Sequence, residues 1–103
     1  MSKPFYTDYV RHALRFYAKN GGTTGHPPAF NTEADKNNWY ACHNAIKGYS
    51  DRDKEMLLKA YYGYDTLADN VYNTAEDYQI HQNYIWDLIK EFERKVAKRR
   101  GLL

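Results

Sequence analysis

Gln82, Asn83, Tyr84, Asp87 and Lys90 stand in one short stretch, and their side chains suit hydrogen bonding to the edges of nucleic-acid bases. Amides such as Gln82 and Asn83 bond adenine in bidentate fashion, Lys90 can reach guanine or a phosphate, and a carboxylate accepts from the cytosine amine. Next in sequence, Arg94, Lys95, Lys98, Arg99 and Arg100 form a cationic run suited to phosphate, a chemistry that gives affinity without sequence information. Asp87 and Glu91 share this surface. They either face the nucleic acid and repel its phosphates, or pair with Lys90, Arg94 and Lys95 along a helix.

Side chains of this kind need a helix held firmly by another. Ala75, Ile80 and Ile85 are spaced five apart, as in a helix-turn-helix: a small residue where two helices cross, an apolar plug in the turn, and an apolar anchor one turn into the second helix. Residues 67–78 would then support a second helix over 82–100. The same spacing occurs wherever two helices of a bundle meet at a tight turn, so a purely structural role is the alternative. Asp65, Asp69, Glu76 and Asp77 give the support segment four acids and no base, which suits a protein partner better than a DNA backbone.

The remaining pattern supplies the rest of the scaffold. Tyr6, Val10, Ala13, Leu14 and Tyr17 recur at helical spacing between Pro4 and Ala18, with Arg11, Arg15 and Lys19 on another face beside His12. A Gly/Pro loop over 20–30 interrupts the pattern. A second helix starts near Asn31 or Thr32 and buries Trp39, Cys42, Ile46 and Tyr49. Ser50, with Asp53 three residues on, caps a third, which buries Met56, Leu57, Ala60 and Tyr61 and ends at Gly63. Thr66 and Asp69 repeat that signal for a fourth, with Leu67, Val71, Ala75 and Tyr78 facing inward. The fifth runs from about Gln82 to Arg100, with Ile85, Leu88, Ile89, Phe92 and Val96 on one arc and Asn83, Asp87, Lys90, Glu91, Arg94 and Lys98 on the other. No segment alternates as a strand does. The expected fold is all-α, about five helices in one bundle. It forms a single domain over 1–103, with 1–49 as an N-terminal brace and 50–103 as the helix-turn-helix unit.

Composition agrees with a globular chain: 103 residues, 43% hydrophobic, with eleven tyrosines. The net charge of +2 is unevenly spread, at +3 over residues 1–19, −4 over 31–79 and +3 over 80–103. Such clustering lets a nearly neutral protein meet a polyanion. No apolar run reaches the roughly 20 residues that span a bilayer, and Met1–Phe5 lacks the apolar run of a leader, so a cytoplasmic protein without a membrane partner is expected.

Other chemistries have weaker signals. His12, His26, His43 and His81 are scattered without ligand spacing, so no metal or cofactor is expected. Cys42 and His43 diverge as neighbours on a helix, leaving Cys42 as a small core residue. Gly21, Gly22 and Gly25 lack a phosphate-loop lysine and a preceding strand. Nothing in the pattern argues for an enzyme. Arg11, Arg15 and Lys19 read as a solvent face, and Tyr61, Tyr62 and Tyr64 as core residues whose hydroxyls reach solvent rather than a stacking surface.

From Ser50 onward the chain resembles region 4 of the sigma-70 transcription initiation factors, in particular the small regulators of that type carried by prophages and mobile elements. The resemblance rests on Ser50–Leu58, on Val71 and Ala75, on the turn at Ile80 and His81, on Tyr84–Ile89 and on Glu93–Leu103. Gln79 stands where the family usually has Gly, and His81 where it has Ser or Thr. Residues 1–49 bear no likeness to the promoter-melting region of a complete sigma factor. The resemblance therefore implies a DNA-binding transcriptional regulator, with duplex DNA as partner. RNA polymerase or a phage protein is the competing partner, and a homodimer through residues 1–49 is a further option.

Overall fold

A computed structural model describes residues 3–103. Met1 and Ser2, at the head of the segment expected to lack a leader, lie outside the described residues. The elements run in order α1 (Thr7–Tyr17), a π-helical turn (Ala18–Gly22), α2 (Glu33–Ile46), α3 (Asp51–Tyr62), α4 (Leu67–Tyr78) and α5 (Gln82–Arg99). No strand occurs among the described residues, and none of their helices is long and apolar enough to cross a membrane.

The helix starts follow their capping residues. Thr32, Ser50 and Thr66 each have extended backbone, and each side-chain oxygen accepts from the amide three residues on, at 3.1, 3.2 and 3.2 Å. These bonds satisfy amides that the first turn leaves without a partner. The Asp53 carboxylate accepts from the Tyr84 hydroxyl at 2.9 Å, so it ties α3 to the start of α5.

The Gly/Pro segment is strapped to the bundle at its start. At Asn20 and Gly21 the chain leaves helical geometry, and Gly21 takes φ +97°, where a Cβ would lie 1.8 Å from the His26 carbonyl oxygen. Only glycine fits there. The neighbouring Asn20 carbonyl accepts from the Trp39 indole N–H at 2.8 Å, and its side-chain amide donates to the Phe16 carbonyl at the same distance. Trp39 itself is fully buried, with Tyr17, Phe30 and His43 around its ring.

All five helices feed one apolar core, whose largest fully buried members include Trp39, Tyr17, Tyr61, Phe92, Met56 and Ile85. Helix α1 packs on α2, α3 and α5, and α4 packs on α3 and α5. At the meeting of α1, α3 and α5 lies a buried carboxylate. Glu93 is 4% exposed; its Oε2 accepts from Arg11 Nε at 2.8 Å and from the Tyr61 hydroxyl at 2.7 Å. Burial first, then the charge of Glu93, holds the Tyr61 hydroxyl well above its usual pKa, so it stays a donor.

Three expectations are corrected. Arg11 does not share a solvent stripe with Arg15 and Lys19; it turns inward to Glu93. Of the tyrosines around the end of α3 only Tyr61 is core: Tyr62, the next residue on the helix, falls on its exposed side, and Tyr64, 90% exposed, lies past the end of α3 at Gly63. Tyr78 and Leu88 are half-buried, at the rims of their helices' inward arcs, and Tyr49, expected in the buried stripe of the second helix, is half-buried beyond the end of α2 at Ile46.

Removing one partner of the buried pair strands a charge. Arg11→Ala is expected to lower the free energy of unfolding by about 2–3 kcal/mol, at the low end for such pairs because Arg11 is partly exposed. Arg11→Met with Glu93→Met should recover most of that loss, and urea unfolding of the single and double variants measures both effects.

Candidate nucleic-acid interface

The turn between α4 and α5 holds α5 in place. Gln79 adopts the left-handed conformation (φ 54°, ψ 47°) and is the one non-glycine residue with positive φ among those described. Its amide donates to the Glu76 carbonyl at 3.2 Å, and the Ile80 amide reaches back to the Ala75 carbonyl at 3.0 Å. This pair of bonds closes a Schellman ending, normally the place of a glycine. Ile80 packs against the core from the turn, and Ala75 and Ile85 are buried on the two helices. His81 then caps α5: its backbone is extended and its Nδ1 accepts from the Asn83 amide at 3.1 Å.

Helical periodicity divides the exposed side chains of α5 into two sets. Asn83, Asp87, Lys90, Arg94 and Lys98 follow one another at steps of three or four and form one outward stripe, all exposed. Gln82 is exposed beside its start, and Tyr84 is exposed but committed to Asp53. Asp87 makes no ion pair among the described residues. Glu91 is drawn to one side, where Lys95 lies 3.0 Å away and the Tyr49 hydroxyl donates to it at 3.0 Å. The Lys95 bond first and the Tyr49 bond second hold its carboxyl below the usual range.

The second set turns toward α2. Lys95, Lys98 and Arg99 line a groove of about 440 Å³ with Asn44, Ala45 and Gly48. Arg99 and Arg100 line an adjoining one of about 480 Å³ with Asn37, Tyr40, Ala41 and Asn44. No carboxylate lines either groove. Arg and Lys mixed with Asn and Tyr side chains is a lining chemically suited to phosphate. The cations differ in freedom: Lys95 is paired to Glu91 with its ammonium 4.5 Å from the Tyr49 ring centre, and Arg100 donates through Nε to Asn38 at 2.6 Å. Arg94, Lys98 and Arg99 are exposed and make no ion pair among the described residues.

The α2 residues of these grooves were not among those singled out from sequence. A signal for them exists, since Asn37, Tyr40, Ala41 and Asn44 recur on one face of α2, opposite Trp39, Cys42 and Ile46, with Gly48 just past its end. Cys42 is fully buried, and burial pushes its thiol up to about 12. Among the described residues no group of three His, Cys, Asp or Glu side chains could hold a metal ion.

Compared with protein-family models, with curated proteins and with solved structures, the chain matches none.

A left-handed glutamine costs about 1 kcal/mol relative to glycine. Gln79→Gly is therefore expected to stabilise the protein by up to about that amount, read as a raised urea midpoint with an unchanged slope. A lower midpoint would show that Gln79 contributes contacts outweighing its backbone strain.

Proposed function

We propose that the chain binds duplex DNA as a transcriptional regulator of the sigma-region-4-like type found on mobile elements. In this reading α5 lies in the major groove. Asn83, Asp87 and Lys90 on the outward stripe, with Gln82 beside them, meet base edges, and Tyr84 takes part only by leaving Asp53. The observation that carries the reading is the continuity of that stripe into Arg94 and Lys98. A helix lying along the groove reads bases with one part and holds the backbone with its C-terminal end. Arg99 and the carboxylate-free grooves against α2 extend the cationic surface. Lys95 and Arg100 support it from their bonds to Glu91 and Asn38.

A second reading is favoured by one observation. The outer face of α4 exposes Asp69, Tyr72, Glu76 and Asp77, and the helix carries no base. That face suits a basic protein surface, of which RNA polymerase is the candidate named by the resemblance, and it is compatible with DNA on α5.

Fluorescence anisotropy of a labelled random duplex across a salt series tests the first reading. Affinity should fall with salt at about 0.9 log units per log unit for each phosphate neutralised. Replacing Arg94, Lys98 and Arg99 by Ala should reduce that slope by about 2–3. Gln82→Ala with Asn83→Ala should leave the slope intact while weakening discrimination among selected sequences. Absence of binding at low salt, with retention of polymerase by the wild type but not by Asp69→Lys/Glu76→Lys, would favour the second reading.

A further inference from the structure

A cavity of about 710 Å³ is walled by the π-helical turn, the end of α2, α3 and α4. Its size is that of a small-molecule site. No residue of α5 contributes to its lining.

The α2 wall is basic and built. His43 stacks on the buried Trp39 ring, with centroids 4.8 Å apart and planes 25° apart, and its Nδ1 lies 3.0 Å from the Tyr17 hydroxyl. Burial pushes Tyr17 up to about 12, so it remains a hydroxyl and donates. Burial, then Lys47 and Lys54, lowers His43 below the usual imidazole range, so the neutral ring is favoured. A neutral imidazole that accepts at Nδ1 carries its proton on Nε2. Lys47 and Lys54 stand near it, and neither makes an ion pair among the described residues. Three nitrogen donors therefore line the same part of the cavity, the two lysines close enough to act on His43.

The facing wall has the opposite character. Asn73 and Asp77 of α4 line it, with Glu55 of α3 held by the Tyr78 hydroxyl. Asp51 also lines the cavity, at the start of α3, and Lys59 lies over the Tyr78 ring, its ammonium 5.1 Å from the centre. Between the walls the surface is apolar and aromatic, with Ile46, Leu58 and the half-exposed Tyr62 ring. An occupant that satisfies every wall has an anionic group, a flat apolar body and an amino group.

We propose that this cavity binds a small organic anion built on an amino-bearing aromatic ring. The phosphate or carboxylate meets His43, Lys47 and Lys54, the ring lies over Leu58 against Tyr62, and the amino group donates to Asp77 and Asn73.

Isothermal titration calorimetry of the full chain tests this with two probes, adenosine monophosphate for the phosphate form and 4-aminobenzoate, whose amino and carboxylate groups lie at opposite ends of the ring, for the carboxylate form. Adenosine and inorganic phosphate serve as the halves. At least one probe should bind saturably at one site per chain, more tightly than either half. Lys47→Glu with Lys54→Glu should weaken it at least about tenfold, since two charge-assisted bonds become repulsions. Asn73→Trp, an exposed position at the cavity wall, should block it by filling the space. Lys98→Ala with Arg99→Ala, on the α2–α5 grooves, should leave it unchanged. No saturable binding of either probe would overturn the proposal, and so would binding indifferent to both Lys47→Glu/Lys54→Glu and Asn73→Trp. Loss of binding on Lys98→Ala/Arg99→Ala would move the anion to the α5 surface and overturn it equally.

Discussion

Glu93 buried between Arg11 and Tyr61 is the constraint on which the rest of the arrangement turns. A carboxylate taken out of water is tolerated only where a cation and hydrogen-bond donors meet it. The cation comes from α1, the hydroxyl from α3 and the acid from α5, so the three helices must come together in one register. That meeting fixes the rotation of α5 about its own axis. With Glu93 inside, Ile89, Phe92, Val96 and Ala97 are inside as well, and the stripe from Asn83 to Lys98 is turned to solvent. A rotation by one residue would bury Arg94 without a partner.

The second fixed point is the turn. Gln79 accepts a left-handed backbone because both amides that follow α4 find carbonyls there and because Ile80 packs into the core behind it. The strain is local and the gain is shared by two helices, so the turn persists without glycine. Tyr84 bonded to Asp53 adds a third tie between the start of α5 and α3. The exposed stripe from Asn83 to Lys98 thus sits on an element fixed at its start by a cap and a turn and along its length by the core. The brace formed by α1 and α2 contributes more than support, since α2 supplies one side of the basic grooves and one wall of the cavity.

Much of the scaffold was legible along the chain because its signals are local. Thr32, Ser50 and Thr66 act as caps through bonds to amides three residues away, and Gly63 ends α3 as its position indicates. Inward arcs followed from a period of 3.6, and Val71, Ile85, Ile89, Phe92 and Val96 are buried accordingly. The misplaced residues are those whose fate depends on a distant partner. Arg11 lies on the same helical face as Arg15, and nothing near it in sequence announces Glu93. Tyr62 and Tyr64 are of the same type as Tyr61, but Tyr62 lines the open cavity at the end of α3 and Tyr64 lies past that helix. Asn20 looks like a loop residue until Trp39 uses its carbonyl.

The sequence by itself determined the helices, their caps and their apolar arcs, because hydrogen bonds within a few residues and the pitch of the helix decide those. It also marked the cationic run at the end of α5. The Lys95–Glu91 pair, four residues apart on one helix, was within reach of the sequence; only the tertiary structure decided that Arg100 is held by Asn38 while Arg94, Lys98 and Arg99 make no ion pair among the described residues. It likewise decided that His43, Lys47 and Lys54 face Asn73 and Asp77 across one cavity. The physical reason is the same in each case. Charge and hydrogen-bonding capacity belong to a residue, but whether they are spent or available depends on neighbours brought together from far along the chain.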